Sequence, residues 1–228
     1  MAFQKVQRKA AKMRVAVAGP SGAGKTLSAL YLAFGVTQDW EKIALIDTEH
    51  GRGQFYGNRS DLEVGEYLYQ ELVPPFTVER YIAMAKEAEQ AVGPDGVIII
   101  DSFSHAWEGE GGVLDFKELT EQQQGKNSFT AWNDAGKKQN ILINTLLSLN
   151  CHVIVTMRTK MAYAMEQNDR GKTVPVKIVL APVQRENTEY EFDLVFNISR
   201  NHVACVSKDW IVNPYLYRNY LAGSEDLN

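Results

Sequence analysis

The 228-residue sequence is 45% hydrophobic and 23% charged, a globular composition that excludes extensive disorder and leads to the expectation of one large domain. Its 24 Lys and Arg against 28 Asp and Glu give a formal charge of −4, so nucleic-acid binding has to come from local patches and a uniform polycation is excluded. No apolar run approaches the roughly 18 residues that span a bilayer, and residues 1–14 lack the apolar core of a signal peptide, so a soluble, cytoplasmic protein without a membrane partner is expected.

In chain order, residues 1–12 read as a basic amino-terminal arm carrying Lys5, Arg8, Lys9 and Lys12. A single core is expected over 13–221, with a polar tail at 222–228. Residues 14–18 are an apolar, β-branched run ending in Gly19, and Leu27, Leu30, Tyr31 and Phe34 follow at helical spacing; strand, glycine-rich turn and helix are predicted. Residues 43–46 form a second strand ending in Asp47. Val78, Tyr81, Ile82 and Ala85 mark a helix, and residues 97–100 a third strand ending in Asp101. Strands alternating with helices predict an α/β fold with a mostly parallel sheet.

Residues 102–129, rich in Gly, Glu and Gln, are too long for an ordinary connection. Leu142, Leu146 and Leu149 mark the next helix, and residues 151–156 a fourth strand. A polar, irregular stretch is expected at 158–174, then peripheral, antiparallel strands at 176–180, 190–198 and 202–206. Cys151 and Cys205 have no CxxC or Cys/His spacing, so neither a disulfide framework nor a zinc site is indicated and both are expected to be buried thiols.

Gly19, Pro20, Ser21, Gly22, Ala23, Gly24, Lys25 and Thr26 spell G-x-x-x-x-G-K-[ST] between an apolar strand and an amphipathic helix, where that motif has to sit. The glycines let main-chain N–H groups converge on phosphate oxygens at the positive end of a helix. Lys25 then neutralises the β- and γ-phosphates of ATP, and Thr26 offers its hydroxyl to Mg²⁺. The metal also needs a carboxylate at the end of a buried strand, and Asp101, after Val97, Ile98, Ile99 and Ile100, fits. Glu49, just past the second strand, is the candidate base for the attacking water, while Asp47 reads as structural. His50, His105, His152 and His202 show no ligand spacing.

With these segments placed, residues 12–200 resemble the RecA-type recombinase core, most closely the small phage-encoded RecA-like ATPases associated with single-strand annealing. The phosphate loop is one match; Leu45, Ile46, Asp47, Thr48, Glu49 and His50 are similar to the family's Ile-Asp-Ala-Glu-His stretch, and residues 97–102 to its metal-binding Val-Val-Asp-Ser. The resemblance implies a P-loop NTPase of RecA type, a glutamate that activates water, and an adenine-packing tyrosine at Tyr56. Thr156 stands at the family's γ-phosphate-sensing glutamine, and Gly53 where RecA has an acidic neighbour of the adenine ring. Residues 109–126 and 158–177 fall where the family places its two DNA-contacting loops. Arg158, Lys160, Arg170, Lys172 and Lys177, interleaved with Met161, Tyr163 and Met165, suit phosphates plus base stacking; Lys126, Lys137 and Lys138 extend that track. Phe3, Gln4, Lys5 and Val6 resemble the Phe-x-x-Ala element that links subunits of RecA relatives.

The leading expectation is therefore an ATPase, stimulated by DNA, that binds single-stranded DNA in recombination or annealing, assembles into a ring or filament, and has a single-strand-binding protein as a further partner. A small-molecule or nucleotide kinase on the same loop is the first alternative, against which the chain lacks an arginine-rich lid. A non-hydrolysing ATP-binding adaptor is the second.

Overall fold

The computed structural model describes residues 11–123, 125–167 and 173–209. Five strands build the centre of a sheet: β1 (Arg14–Gly19), β2 (Ile43–Asp47), β3 (Leu68–Glu71), β4 (Val97–Asp101) and β5 (His152–Gln167). With β7 (Leu194–Ile198) and β8 (Ala204–Asp209) the order is β3-β2-β4-β5-β1-β7-β8. All neighbours are parallel except β7 and β8. The helices are α1 (Lys25–Thr37), α2 (Val78–Val92), α3 (His105–Glu108), α4 (Val113–Glu121) and α5 (Ser128–Ser148).

Every residue of β1, β2 and β4 is buried, as expected of parallel strands covered on both faces. Alternate side chains supply two cores. Ala16, Ala18, Ile46, Ile98, Ile100, Val153 and Val155 pack with Tyr81 of α2, Phe103 and Leu142 of α5 on one face. Val15, Val17, Leu45, Ile99 and Ile154 pack with Ala29, Leu30 and Ala33 of α1 on the other. The α/β fold with a mostly parallel sheet flanked by helices is therefore as the alternation predicted.

Local chemistry sets the helix ends. Thr77 caps α2 by accepting from the Arg80 amide, and Asn127 and Thr130 form a reciprocal capping box at α5. At the other end of α5, the buried Arg14 guanidinium donates to the carbonyls of Leu147 and Leu149 and to that of Cys151. It satisfies acceptors that the helix leaves open and ties α5 to the base of β1.

Three expectations are corrected. Within the stretch expected to be irregular, residues 158–167 belong to β5, which continues to Gln167, and β6 (Thr173–Pro182) pairs with it antiparallel from Thr159↔Pro182 to Gln167↔Thr173. A backbone ladder satisfies the main-chain polar groups of both segments, and the pairing partner lies largely outside the stretch whose polarity was read. The segment at 190–198 is not a peripheral antiparallel strand either, since β7 lies parallel beside β1 and only β8 runs against it. Cys205 on β8 is exposed, whereas Cys151 is buried and its thiol is pushed up to about 11 by burial. The long connection at 109–126 holds α4. Among the described residues no helix is long and apolar enough to cross a membrane.

Candidate functional site

The carboxyl ends of β1, β2 and β4 meet the middle of β5 at one edge of the sheet, and a cleft of about 210 Å³ opens there. It is smaller than the roughly 300–1,000 Å³ that enclose a drug-sized ligand. Ser21, Gly22, Gly24, Lys25, Thr26, Glu49, Tyr56, Asp101 and Arg158, all singled out in the sequence, line it together with Arg52 and Phe55.

The loop after β1 reaches α1 through Gly22 at φ 77° and Gly24 at φ 91°, a region that favours glycine. Gly24 caps α1 without a side-chain partner, and the first turn carries no acidic residue. The amides at this helix start are therefore left for an anion, and the local field favours negative charge. Gly19 and Ala23 stand behind the cleft: a Cβ on Gly19 would lie 2.7 Å from the Ile198 carbonyl oxygen, and Ala23 is buried in the core. Lys25 Nζ donates to the Pro20 carbonyl at 2.9 Å. Burial lowers its ammonium pKa, against the pull of Asp101 and Glu49, so it is a poorly solvated cation facing a site for phosphate.

Asp101 is almost fully buried. Its Oδ2 accepts from Thr26 Oγ1 at 2.5 Å and its Oδ1 from Thr156 Oγ1. Burial raises its pKa, opposed by the hydrogen bonds from Thr156 and Thr26. A threonine hydroxyl and a carboxylate at this separation form an all-oxygen donor set that fits Mg²⁺, so Thr26 and Asp101 are the residues that would hold it. The metal would supply charge neutralisation between the β- and γ-phosphates. Thr156, placed at the sensor position, donates its hydroxyl to Asp101 and does not line the cleft; two residues on, and on the same face of the strand, Arg158 does.

Glu49 is carried by a turn that Asp47 orders. The fully buried Asp47 carboxylate accepts from the Glu49 amide at 2.5 Å, the Gly53 amide at 2.8 Å and the Tyr69 hydroxyl at 3.0 Å, the structural role expected of it. Burial would raise the Glu49 carboxyl, but the hydrogen bonds and charge of Arg158 outweigh it and hold the pKa below the ordinary value. Arg158 donates Nε to Oε1 at 2.8 Å and Nη2 to Oε2 at 2.5 Å.

A buried polar chain that sequence reasoning missed sews these strand ends together. Thr48 Oγ1 accepts from the Ser102 amide at 2.8 Å and lies 2.6 Å from His105 Nδ1. The Ser104 amide donates to Ser102 Oγ at 3.1 Å, and the Arg158 amide to Ser104 Oγ at 2.9 Å. Burial and the charge of Arg158 lower the His105 imidazole pKa, which makes His105 a supporting group beside the cleft. The signal available in the sequence was the run of small hydroxyl residues directly after the two acidic strand ends.

Of the remaining candidates read for DNA, Lys160 does not line the cleft. Lys160 is exposed on β5, and Lys177 falls opposite Tyr163 in the β5–β6 register. Arg170, Lys172 and Phe3 lie outside the described residues. Lys126 and Lys137 share Asp134, and Lys138 pairs with Glu79, so two carboxylates offset most of the positive charge of the track read through these three lysines. No cluster of three or more His, Cys, Asp or Glu able to hold a metal occurs among the described residues.

A family model described as AAA domain (AAA_24) matches residues 11–218, and the chain belongs to that family. It is thereby a P-loop NTPase-type domain, of a class that binds nucleotide and Mg²⁺ and has ATPase activity in general. No curated protein matches the chain.

Proposed function

We propose that this AAA-domain protein is an ATP-dependent single-stranded-DNA-binding protein of recombination or annealing, with a core of RecA type. The observation that carries the reading is the path of β5. This one strand supplies Thr156 to Asp101 and Arg158 to Glu49, then leaves the sheet as the ribbon with β6 that bears Lys160. A change at the γ-phosphate thus has a covalent route to a basic segment, and ATP acts as the switch on DNA affinity. Single strands suit such a ribbon because phosphates meet its cations while bases stack on its aromatic and apolar positions.

Steady-state ATP hydrolysis with and without single-stranded DNA tests the proposal. Stimulation, together with DNA affinity that differs between ATP and ADP states, is expected. Neutralising Lys160, Arg170 and Lys172 together should weaken DNA binding and lower its salt slope by about 0.7 per lost contact. ATP turnover that ignores DNA, or an unchanged affinity and slope in the triple variant, would overturn it. Phosphorylation of a small molecule would favour a kinase instead.

A further inference from the structure

In this structure the candidate base is held by a cation. Both Glu49 oxygens accept from Arg158, in the fork geometry that makes such pairs strong, and the Glu49 side chain is only 13% exposed. A carboxylate so gripped is poorly placed to take a proton from water, because the lone pairs it would use are occupied and its proton affinity is reduced. Arg52, the other cation within ion-pair distance of Glu49 among the described residues, stands 3.8 Å away and is mostly exposed.

We propose that Arg158 is a substrate-contacting residue of the ATPase, whose guanidinium leaves the Glu49 carboxylate for the γ-phosphate of ATP and by leaving frees Glu49 to act as base. The inference rests on the ATP-hydrolysing half of the proposed function and not on the DNA half. Arg158 lines the same cleft as Lys25, Thr26 and Asp101. Its main chain is fixed where the exchange requires, through the Ser104 hydroxyl and the parallel register with Gly19, so only the side chain has to swing. A phosphoryl group offers the same planar fork an anion of higher charge than a carboxylate. In the hydrolytic step the water oxygen bonds to the γ-phosphorus as its bond to the bridging oxygen breaks; ADP takes the electron pair and Glu49 takes the water proton. Arg158 meanwhile stabilises charge on the transferred phosphoryl oxygens.

The position of Arg158 makes the exchange consequential. It is the last residue of β5 in register with β1, and Thr159 begins the ladder with β6. Whether the guanidinium points to Glu49 or to phosphate is thus decided at the root of the ribbon.

Calorimetric titration of Mg²⁺-ADP and of a non-hydrolysable Mg²⁺-ATP analogue into the parent, Arg158→Gln, Arg158→Lys, Glu49→Gln and the double Gln variant tests this. The parent should prefer the analogue, and Arg158→Gln should reduce that preference by about 10- to 100-fold, as expected for loss of a hydrogen-bonded charge. Its ADP affinity should stay within about threefold of the parent's, and Arg158→Lys should be intermediate. Glu49→Gln should tighten the analogue several-fold, since the competing carboxylate is gone, and should have no such effect once Arg158 is Gln. If ADP and analogue weaken together, Arg158 merely holds the site in shape; if the preference survives in Arg158→Gln, or Glu49→Gln acts equally in both backgrounds, the exchange does not occur. A parent that binds neither nucleotide refutes the ATPase reading itself, which is a different outcome from a parent that discriminates through some other group.

Discussion

Replacing Lys25 with methionine separates what the lysine does for the ligand from what it does for the fold. Its ammonium is almost buried and donates to the Pro20 carbonyl, with no carboxylate within ion-pair distance among the described residues. Two charged hydrogen bonds to phosphate at about 1.5–3 kcal/mol each make loss of about 3–4 kcal/mol a moderate expectation, or about 10²–10³ in nucleotide affinity. At a Mg²⁺-ATP concentration about 100 times the parent's Kd, bound ligand stabilises the parent by about 2.7 kcal/mol. For a domain of this size that is a rise of about 5–10 °C in Tm. The same concentration is at best near the variant's Kd, leaving about 0.4 kcal/mol and a rise of about 1–2 °C.

Without nucleotide the order is different. Burial lowers the Lys25 pKa below its ordinary 10.5, so the charged form is disfavoured in the folded state and Lys25→Met should melt no lower than the parent. Between the lowered value and 10.5 the unfolded chain binds more protons, so this group's contribution to stability rises with pH there. The variant's advantage should shrink as pH rises through that window. Thermal melts followed by circular dichroism, with and without Mg²⁺-ATP, measure both effects. A variant that keeps the parent's ligand-induced rise would refute the assignment of Lys25 to the phosphates.

Glu49→Gln should bind ATP and lose about 10²–10⁴ in turnover; persistence within a few-fold, measured as phosphate release, moves the base elsewhere. Gly53→Ala places a Cβ 2.4 Å from Leu45 Cδ2 and 3.2 Å from Asp47 Oδ2, so overpacking should cost about 1–3 kcal/mol, read as a lower midpoint in urea, with slower turnover because the turn that carries Glu49 shifts. Native thiol titration should find only Cys205 reactive, and Cys151 should follow once the chain is unfolded; two rapid equivalents in the native protein would contradict the burial of Cys151.

The phosphate loop was legible because its chemistry is local: eight consecutive residues set a backbone turn, a cation and a hydroxyl between a strand and a helix. That Asp101 and Glu49 would meet at one cleft was legible for a related reason. Each follows an apolar strand, and parallel strands bring their carboxyl ends to one edge of the sheet whatever the loops between them. The α/β class followed from the same alternation, since fully buried β2 and β4 read as unbroken apolar runs.

What the amino-acid order by itself determined, then, were groups whose partners lie within one turn or one strand end. Tertiary structure alone decided how the side chains of those groups were shared. Arg158 looked like one more cation of a polar loop, and its pairing with Glu49, 109 residues away, depends on β5 lying between β4 and β1. The same insertion turns Thr156 toward Asp101. In residues 158–167 charged and polar groups flank Met161, Ala162, Tyr163, Ala164 and Met165, and what makes the segment a strand is its pairing with β6, a partner supplied by the fold. Cys205 is exposed because β8 occupies an edge of the sheet, and that is a property of strand order, set by long-range packing rather than by any local run of residues.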